Sequence, residues 1–397
     1  MRVSTSWFNL NATLQMQNQQ SQLAKTQEQV ASGKRIVRPS DDPIGSVQAL
    51  ELGRALQKNE QFDRNATIAQ NRLQTQESTL TEVGDILQRA RELTVQGANG
   101  SQGNDSRQFI ANELRELRQS LIDLANTKDS SDNFIFAGYR GGTQPFSPTP
   151  DGVTYNGDEG QRTLQIGPNR FVTDGNPGSE VFMRIREGNG TFKVEAGEDN
   201  QGTGVIKNSS IRDLQDWTGD SYEIEILADG EYEVRDSVGD VVETGVFASG
   251  ETIGFSGIEF IIDGNPEEGD LFEVTPSRNS SIFNTFDRLI DAFETPVSNS
   301  RDRTRQLNEI NRSLDDTDQA ISRMLEVRSE TGARLKAVED QMSVNDGARL
   351  DLETTKSGIE DLDYAEAITR LNQQQVGLQA AQQAYVRVQG LSLFNFM

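Results

Sequence analysis

The chain has 397 residues, a net charge of −24, and neither cysteine nor histidine. Those two absences rule out disulfides, Cys/His zinc sites, Ser-His-Asp triads and Cys-His dyads, and leave any acid–base chemistry to carboxylates, Lys or Tyr. The acidity disfavours nucleic acid and anionic lipid as partners, and an apolar content of 34% suits amphipathic helices that bury one stripe better than a single thick core.

The first residues, MRVSTSWFNLNATLQMQ, hold no apolar h-region and no small-residue cleavage site, so a cleaved secretory signal is not expected. No run approaches 18 apolar residues, and membrane insertion is not expected either. Residues 11–30 read as a Gln-rich helix with a thin stripe of Ala12, Met16, Leu23 and Val30. Such a helix is too polar to hold alone and needs partners.

Ala31–Gly45 reads ASGKRIVRPSDDPIG. Its Ser-Gly-Lys resembles the end of a phosphate loop, but Glu28 stands where that motif needs glycine and Arg35 where it needs Ser or Thr. Lys34, Arg35 and Arg38 then read as a solvated connector after a helix ended by Gly33. Ser40 or Asp42 reads as the cap of the next helix, with Pro43 in its first turn and both carboxylates, Asp41 and Asp42, favoured by the helix N-terminus.

From Leu52 a seam in alternating steps of three and four follows: Leu52, Ala55, Asn59, Phe62, Ala66, Ala69, Leu73, Gln76, Leu80, Val83, Leu87, Ala90, Thr94. Ten of these thirteen positions are apolar, which predicts a coiled coil. Gly97–Gly100 breaks it. A further helix carries Ile110, Leu114, Leu117, Leu121 and Leu124 on one face.

Residues 139–279 change character. Gly, Asp, Asn and Pro become frequent, and alternating runs appear at 222–226, 231–234 and 258–262, with Asp229-Gly230 as a hairpin turn between the first two. Ten Lys/Arg stand against 27 Asp/Glu in this zone, so most of the acidity lies here. An antiparallel β domain, or two small β modules, is expected. Asp263–Asp270 resembles a calcium loop but lacks glycine at its sixth position and has proline at its fourth. Gly202 and Gly204 lack the third glycine of a dinucleotide fingerprint. No catalytic, cofactor-binding or metal-ligating set is expected, and the chain is expected not to be an enzyme.

A second seam runs Leu307, Ile310, Leu314, Thr317, Ile321, Met324, Arg328, Thr331, Leu335, Val338, Met342, Asn345, Arg349, Leu352. As one helix, 301–356 would extend roughly 84 Å at ~1.5 Å per residue. Ser357-Gly358-Ile359-Glu360 has the spacing of a capping box and predicts a joint or new helix start. The stripe Tyr364, Ile368, Leu371, Leu378 and Tyr385 follows. The chain then ends Gly390-Leu391-Ser392-Leu393-Phe394-Asn395-Phe396-Met397. An apolar end on so hydrophilic a chain, like Trp7-Phe8-Asn9-Leu10 near the start, predicts burial against other subunits.

The stretches VASGKRIVRPSDDPIGSVQAL, NFIFAGYRGGTQPF and GIEDLDYAEAITRLNQQQ with the LSLFNFM end resemble the flagellin superfamily. Pro39, Pro43 and Phe134–Gly138 are similar to its hook–filament junction members rather than to filament subunits. The resemblance implies a mainly α fold with inserted β: a flagellin-like, long antiparallel coiled-coil rod built from both chain ends, with a central antiparallel β domain. It implies three parts: terminal helices (1–42 with 358–397) that form an assembly-dependent inner core, a rod (43–138 with 280–357), and an outward-facing acidic β domain (139–279). It implies export through the flagellar type III apparatus with a chaperone on the C-terminal helix, an extracellular place at the hook–filament junction, and packing with copies of itself in a ring. The further partners implied are a hook-side junction protein on one side and flagellin on the other. The implied assembly residues are Trp7, Phe8, Leu10, Leu14, Leu23, Val30, Tyr364, Ile368, Leu371, Leu378, Tyr385, Leu391, Leu393, Phe394 and Phe396, with Gly33, Pro39, Asp42, Pro43, Ser357 and Glu360 as the inter-domain joint. A filament subunit, or a flagellin-like chain displaying a carbohydrate-binding or enzymatic middle domain, are the alternative readings.

Overall fold

The computed structural model describes residues 5–100, 102–150 and 152–394. Among the described residues six α-helices bracket a β-rich middle: α1 (Thr5–Ser32), α2 (Pro43–Ala98), α3 (Asn104–Ala125), α4 (Ile282–Glu294), α5 (Ser300–Glu360) and α6 (Tyr364–Phe394). Both ends of the chain are therefore helical and the β structure is central and antiparallel. The chain divides into two compact units, 1–64 with 341–397 and 65–340. The first of these takes in the start of α2 and the end of α5 together with α1 and α6.

In the unit 65–340, α2 and α5 run antiparallel. Arg91 pairs with Asp318 at 2.6 Å, Arg328 with Glu77 at 2.8 Å, and Gln76 Nε2 donates to Thr331 Oγ1 at 3.0 Å. The seam read along α2 is buried from Asn59 to Thr94, while Leu52 is half-buried and Ala55 exposed. The seam read along α5 needs a correction of phase. Ile310, Thr317, Met324, Thr331, Val338 and Asn345 are buried, but Leu307, Leu314, Ile321, Leu335 and Met342 are only half-buried. Gln306, Ser313, Ala320, Val327 and Gln341 fill the seam in their place. Several of the seam's polar groups are paired: Thr317 donates to the Ser313 carbonyl at 2.7 Å, Thr331 to that of Val327 at 2.8 Å, and Gln306 to that of Ala292 on α4 at 2.8 Å, while the Ser313 hydroxyl has no partner among the described residues. A hydrogen-bonded hydroxyl or amide can be buried without the cost of an orphaned polar group, so hydropathy alone does not locate this face.

Helix α4 was not anticipated. Ser281 caps it, accepting from Phe283 N at 3.1 Å, and its face of Ile282, Phe283, Phe286, Leu289, Ile290 and Phe293 is buried. That face joins α2, α3 and α5 in one core with Phe136, Phe146 and Phe182. The rings of Phe146 and Phe182 lie 5.3 Å apart, and those of Phe146 and Phe283 5.4 Å. The Phe134–Gly138 segment thus serves packing: Phe136 is fully buried, edge-on to Phe182 at 5.1 Å. Beneath it Arg72, itself buried, lies 2.5 Å from Asp129 and 3.2 Å from Asp174.

The middle zone divides in two. Its first half is short pairs: β1 (Phe146–Thr149) with β2 (Gly152–Tyr155), and β3 (Thr163–Gly167) with β4 (Arg170–Thr173). A π-turn at Ser179–Met183 and β5 (Ile185–Arg186) follow. Phe146, Val153, Val181 and Phe182 from this half belong to the helical core, so it is not a module of its own.

The second half is a module with a separate core. Its strands are β6 (Phe192–Ala196), β7 (Val205–Ile211), β8 (Tyr222–Ile226), β9 (Glu231–Asp236), β10 (Val241–Val246), β11 (Thr252–Phe255), β12 (Ile258–Asp263) and β13 (Leu271–Pro276). A five-stranded sheet in the order β10-β9-β8-β13-β6 faces a three-stranded sheet, β11-β12-β7. Phe192, Ile224, Val234, Phe260, Ile262 and Phe272 lie in the core that the two sheets share. The 229–230 turn joins β8 to β9 as read, with Gly230 at φ 78°. The incoming and outgoing strands are neighbours, Phe192 opposite Pro276, and β14 (Asn279–Ser280) then leads into α4.

The module meets α5 through polar groups: Ile206 N donates to Asn308 at 2.8 Å, Asn308 to the Gly204 carbonyl at 3.1 Å, and Asn311 to the Ile206 carbonyl at 3.0 Å. A self-contained apolar core with a polar seat predicts that residues 189–278 fold alone. That fragment should show one cooperative thermal transition followed by Trp217 fluorescence, whose ring lies 5.6 Å from Phe192. A non-cooperative melt would mean that the seat on α5 is needed for folding.

Candidate assembly surface

The connector 33–42 is a built structure, and it lies in the unit 1–64 with 341–397. Helix α1 ends because Gly33 turns left-handed at φ 72°, its N–H still bonded to the Gln29 carbonyl at 2.9 Å. A Cβ at Gly33 would come within 2.8 Å of the Tyr364 hydroxyl, so a side chain is excluded twice over. The chain then pairs with the segment between α5 and α6. Arg35 N donates to the Glu360 carbonyl at 2.7 Å, and Leu362 N to that of Gly33 at 3.0 Å.

Side chains reinforce this backbone clasp. Arg35 donates to the Ile359 carbonyl at 2.7 Å, Lys34 lies 3.3 Å from Glu360, and Gln29 Nε2 donates to the Arg35 carbonyl at 2.6 Å. Ile36, Ala49, Leu362 and Ala367 are the buried apolar residues here. Both joints of the chain, one after α1 and one after α5, therefore form a single node.

The two aspartates serve this node. Asp41 accepts from Arg38 N at 3.0 Å and pairs with Lys25 at 2.8 Å, and the Lys25 hydrogen bond is the main cause holding its carboxyl below the usual range. Asp42 accepts from Gly45 N at 2.9 Å as the cap of α2, and that backbone donor holds its carboxyl low in turn, with Arg35 at 3.3 Å adding to it. Pro43 stands at the first position of α2, and Pro39 is exposed on the connector. The Asp263–Asp270 segment is likewise a pinned loop. Buried Asp270 accepts from Gln201 N at 2.7 Å, Glu267 N at 2.9 Å and Gly202 N at 3.0 Å.

The capping-box reading at Ser357 is corrected. Helix α5 continues through Ser357 to Glu360, and the Ser357 hydroxyl bonds Asp361. The cap of α6 is Asp363, which accepts from Ala365 N at 2.9 Å and Glu366 N at 3.2 Å. Asp and Ser both suit that role, and the Asp-Leu-Asp-Tyr run that begins at Asp361 carried the true signal.

Helices α1 and α6 pack on one another. The anticipated assembly residues fall into two sets. Leu23, Val30, Leu371, Leu378 and Tyr385 are half-buried. Trp7, Leu10, Leu14, Tyr364 and Ile368 are exposed, Trp7 by 61% and Leu10 by 59%. The side chains of Phe8, Leu391, Leu393 and Phe394, and Phe396 as a whole, lie outside the described residues. A third patch escaped the sequence reading. Ile44, Val47 and Leu50, at i, i+3 and i+6 in the first turns of α2, are all more than half exposed. Their phase differs from that of the seam that starts at Leu52, and that mismatch was the available sign. Large apolar side chains thus lie open to solvent on α1, on the first turns of α2 and on α6.

Among the described residues no helix is long and apolar enough to cross a membrane. Comparison with known proteins places these features. The bacterial flagellin N-terminal helical region matches residues 3–140, and the flagellin C-terminal helical region matches 314–397. Flagellar hook-associated protein 3 of Escherichia coli is 27% identical over all of this chain and 99% of its own. The crystal structure of Xanthomonas campestris FlgL is 37% identical, covers 77% of this chain and 99% of its own, and superposes with a TM-score of 0.73. The flagellar junction protein FlgL of Legionella pneumophila is 30% identical, covers 79% of this chain and all of its own, with a TM-score of 0.71.

Proposed function

This chain belongs to the flagellin family, among the hook-associated protein 3 (FlgL) hook–filament junction proteins, structural components of the bacterial flagellum; from that premise we propose that it acts as an adaptor built from a ring of copies. The hook-side junction protein lies on one side of the ring and flagellin on the other. The subunit travels unfolded through the flagellar type III export apparatus, escorted by a chaperone on its C-terminal helix, and works outside the cell. It catalyses no reaction.

The observation that carries this reading is the unequal distribution of apolar surface. Among the described residues as many large apolar side chains are exposed in 1–64 with 341–397 as in 65–340, which is more than twice as long, and Trp7, Leu10, Ile44, Val47, Tyr364 and Ile368 are among them. Polar, Gln-rich helices gain little by folding alone. Covering these side chains with the same helices of neighbours supplies burial of about 1.5–3 kcal/mol for each large one. Folding of the ends and assembly are then one event, with the terminal helices forming the inner core of the junction and the acidic module facing outward. The concentration of carboxylates in 139–279 supports the outward placement, since a charged surface is costly to bury.

The test is a strain lacking this chain. It should build hooks, carry no filaments and release flagellin into the medium, and a plasmid copy should restore filaments. Normal filaments in that strain would exclude the junction role and favour a minor filament subunit.

A further inference from the structure

We propose that the clasped node makes a heterologous contact with a second copy of this chain: the basic, apolar-walled cavity beside the connector of one copy receives the acidic end of α5 and start of α6 of the next. The proposal rests on the reading that copies assemble side by side, and it names where on the subunit they touch.

The receiving side is a cavity of about 420 Å³ between the connector, the start of α2 and the end of α5. Its cations are Lys34, Arg38, Arg54 and Lys356, with Glu360 as the single carboxylate; Ile36, Val37, Pro39 and Leu50 supply apolar wall. This is unusual on a chain of net charge −24. Nearly all that charge lies elsewhere. Residues 65–340 hold 49 carboxylates against 26 cations, while the unit containing the cavity holds 13 against 12. The cavity opens beside the exposed stripe Ile44, Val47 and Leu50. Among the described residues Arg54 makes no ion pair or side-chain hydrogen bond.

The inserting side is complementary in both respects. Leaving out the cavity-lining Lys356 and Glu360, residues 346–366 carry six carboxylates against one cation. Asp351 and Glu353 are exposed and form no ion pair among the described residues. Leu350 beside them is 64% exposed, and Tyr364 and Ile368 continue the apolar surface into α6. Opposite charge with apolar area on both sides gives register and orientation as well as burial. Lys356 and Glu360 belong to the cavity, but Leu350, Asp351, Glu353 and Tyr364 do not line it, so the contact is head-to-tail, and head-to-tail contacts repeat around a ring or along a helix. The strongly acidic 65–340 region of a neighbour would be repelled by its own like, which leaves the node as the electrostatically favoured meeting point.

The chain has no cysteine, so introduced thiols report cleanly. Two differently tagged full-length copies, one Val47→Cys and the other Leu350→Cys, are co-produced in a strain lacking the native chain, and isolated flagella are oxidised. A cross-linked species carrying both tags is expected. It should be lost when the Val47→Cys copy also carries Arg54→Glu, and should return when the Leu350→Cys copy then carries Asp351→Arg. No such species, with both tags still found at the filament base by immunolabelling, overturns the node contact and leaves the adaptor reading standing. A cross-link between two Val47→Cys copies would show a two-fold contact and overturn it also, as would a cross-link to a different protein. Absence of either tag from the filament base would overturn the adaptor reading and this contact together.

Discussion

Removing residues 391–397 should abolish swimming while leaving the body of the protein folded. Those residues hold five large apolar side chains, and both hydrophobic cores lie within 65–340. Among the described residues no member of either core lies in the deleted stretch. Under coupled folding and assembly, its cost falls on the associated state alone: at about 1.5–3 kcal/mol for each large side chain buried, five lost in every copy exceed what a subunit contact can spare. The purified variant should keep the thermal transition of the full chain, measured by near-ultraviolet circular dichroism, while cells producing it make no junction and do not spread in soft agar. Wild-type spreading would refute the coupling of these ends to assembly.

Phe146→Ala should lower stability by about 3–5 kcal/mol, against a total of roughly 5–15 kcal/mol for a typical domain. Phe146 is fully buried and touches three rings: Tyr155 at 5.2 Å, Phe182 at 5.3 Å and Phe283 at 5.4 Å. These come from β2, the π-turn and α4, so the vacancy lies where three elements meet and none can close it alone. The space is also fixed from above, because a Cβ on Gly178 would already press on this ring at 2.7 Å. Denaturant titration should show a lower midpoint with an unchanged slope. Phe109→Ala, at a ring 72% exposed on α3, is the control and should change stability by less than about 0.5 kcal/mol. Equal effects at the two positions would contradict the assignment of the core.

How far the sequence speaks for itself depends on whether a position is chosen by hydropathy. The α2 seam from Asn59 to Thr94 was legible because most of its buried positions are aliphatic. The α5 seam was misphased because its buried face holds Gln306, Ser313 and Gln341, while Leu307, Leu314 and Met342 stand on the flank. No scale that rewards leucine finds a buried glutamine whose partner is a backbone carbonyl of another helix. Helix α4 was missed for a different reason. Its apolar positions 282, 283, 286, 289, 290 and 293 have clear helical spacing, but the segment is short and sits where the β zone ends. The connector was legible as punctuation, through Gly33 and the two prolines. That it clasps Glu360 and Leu362, more than 300 residues away, was not, since nothing local encodes a long-range backbone pair. The exposed stripe at Ile44, Val47 and Leu50 required the structure as well, because exposure is the informative property and spacing alone does not give it.

The neighbouring positions of Phe192 and Pro276 have a consequence for how this chain can vary. The chain enters and leaves the eight-stranded module at two points a single strand spacing apart, about 4.8 Å. Anything that presents two antiparallel ends at that separation fits the same socket, whatever its size or fold. Material added or lost there leaves the path of α2, α4 and α5 unchanged. The outer decoration and the parts that join subunits are thereby free to change at different rates. A foreign domain spliced between residues 191 and 277 would ride on the protein as a passenger, adding to what it displays without altering how its helices meet.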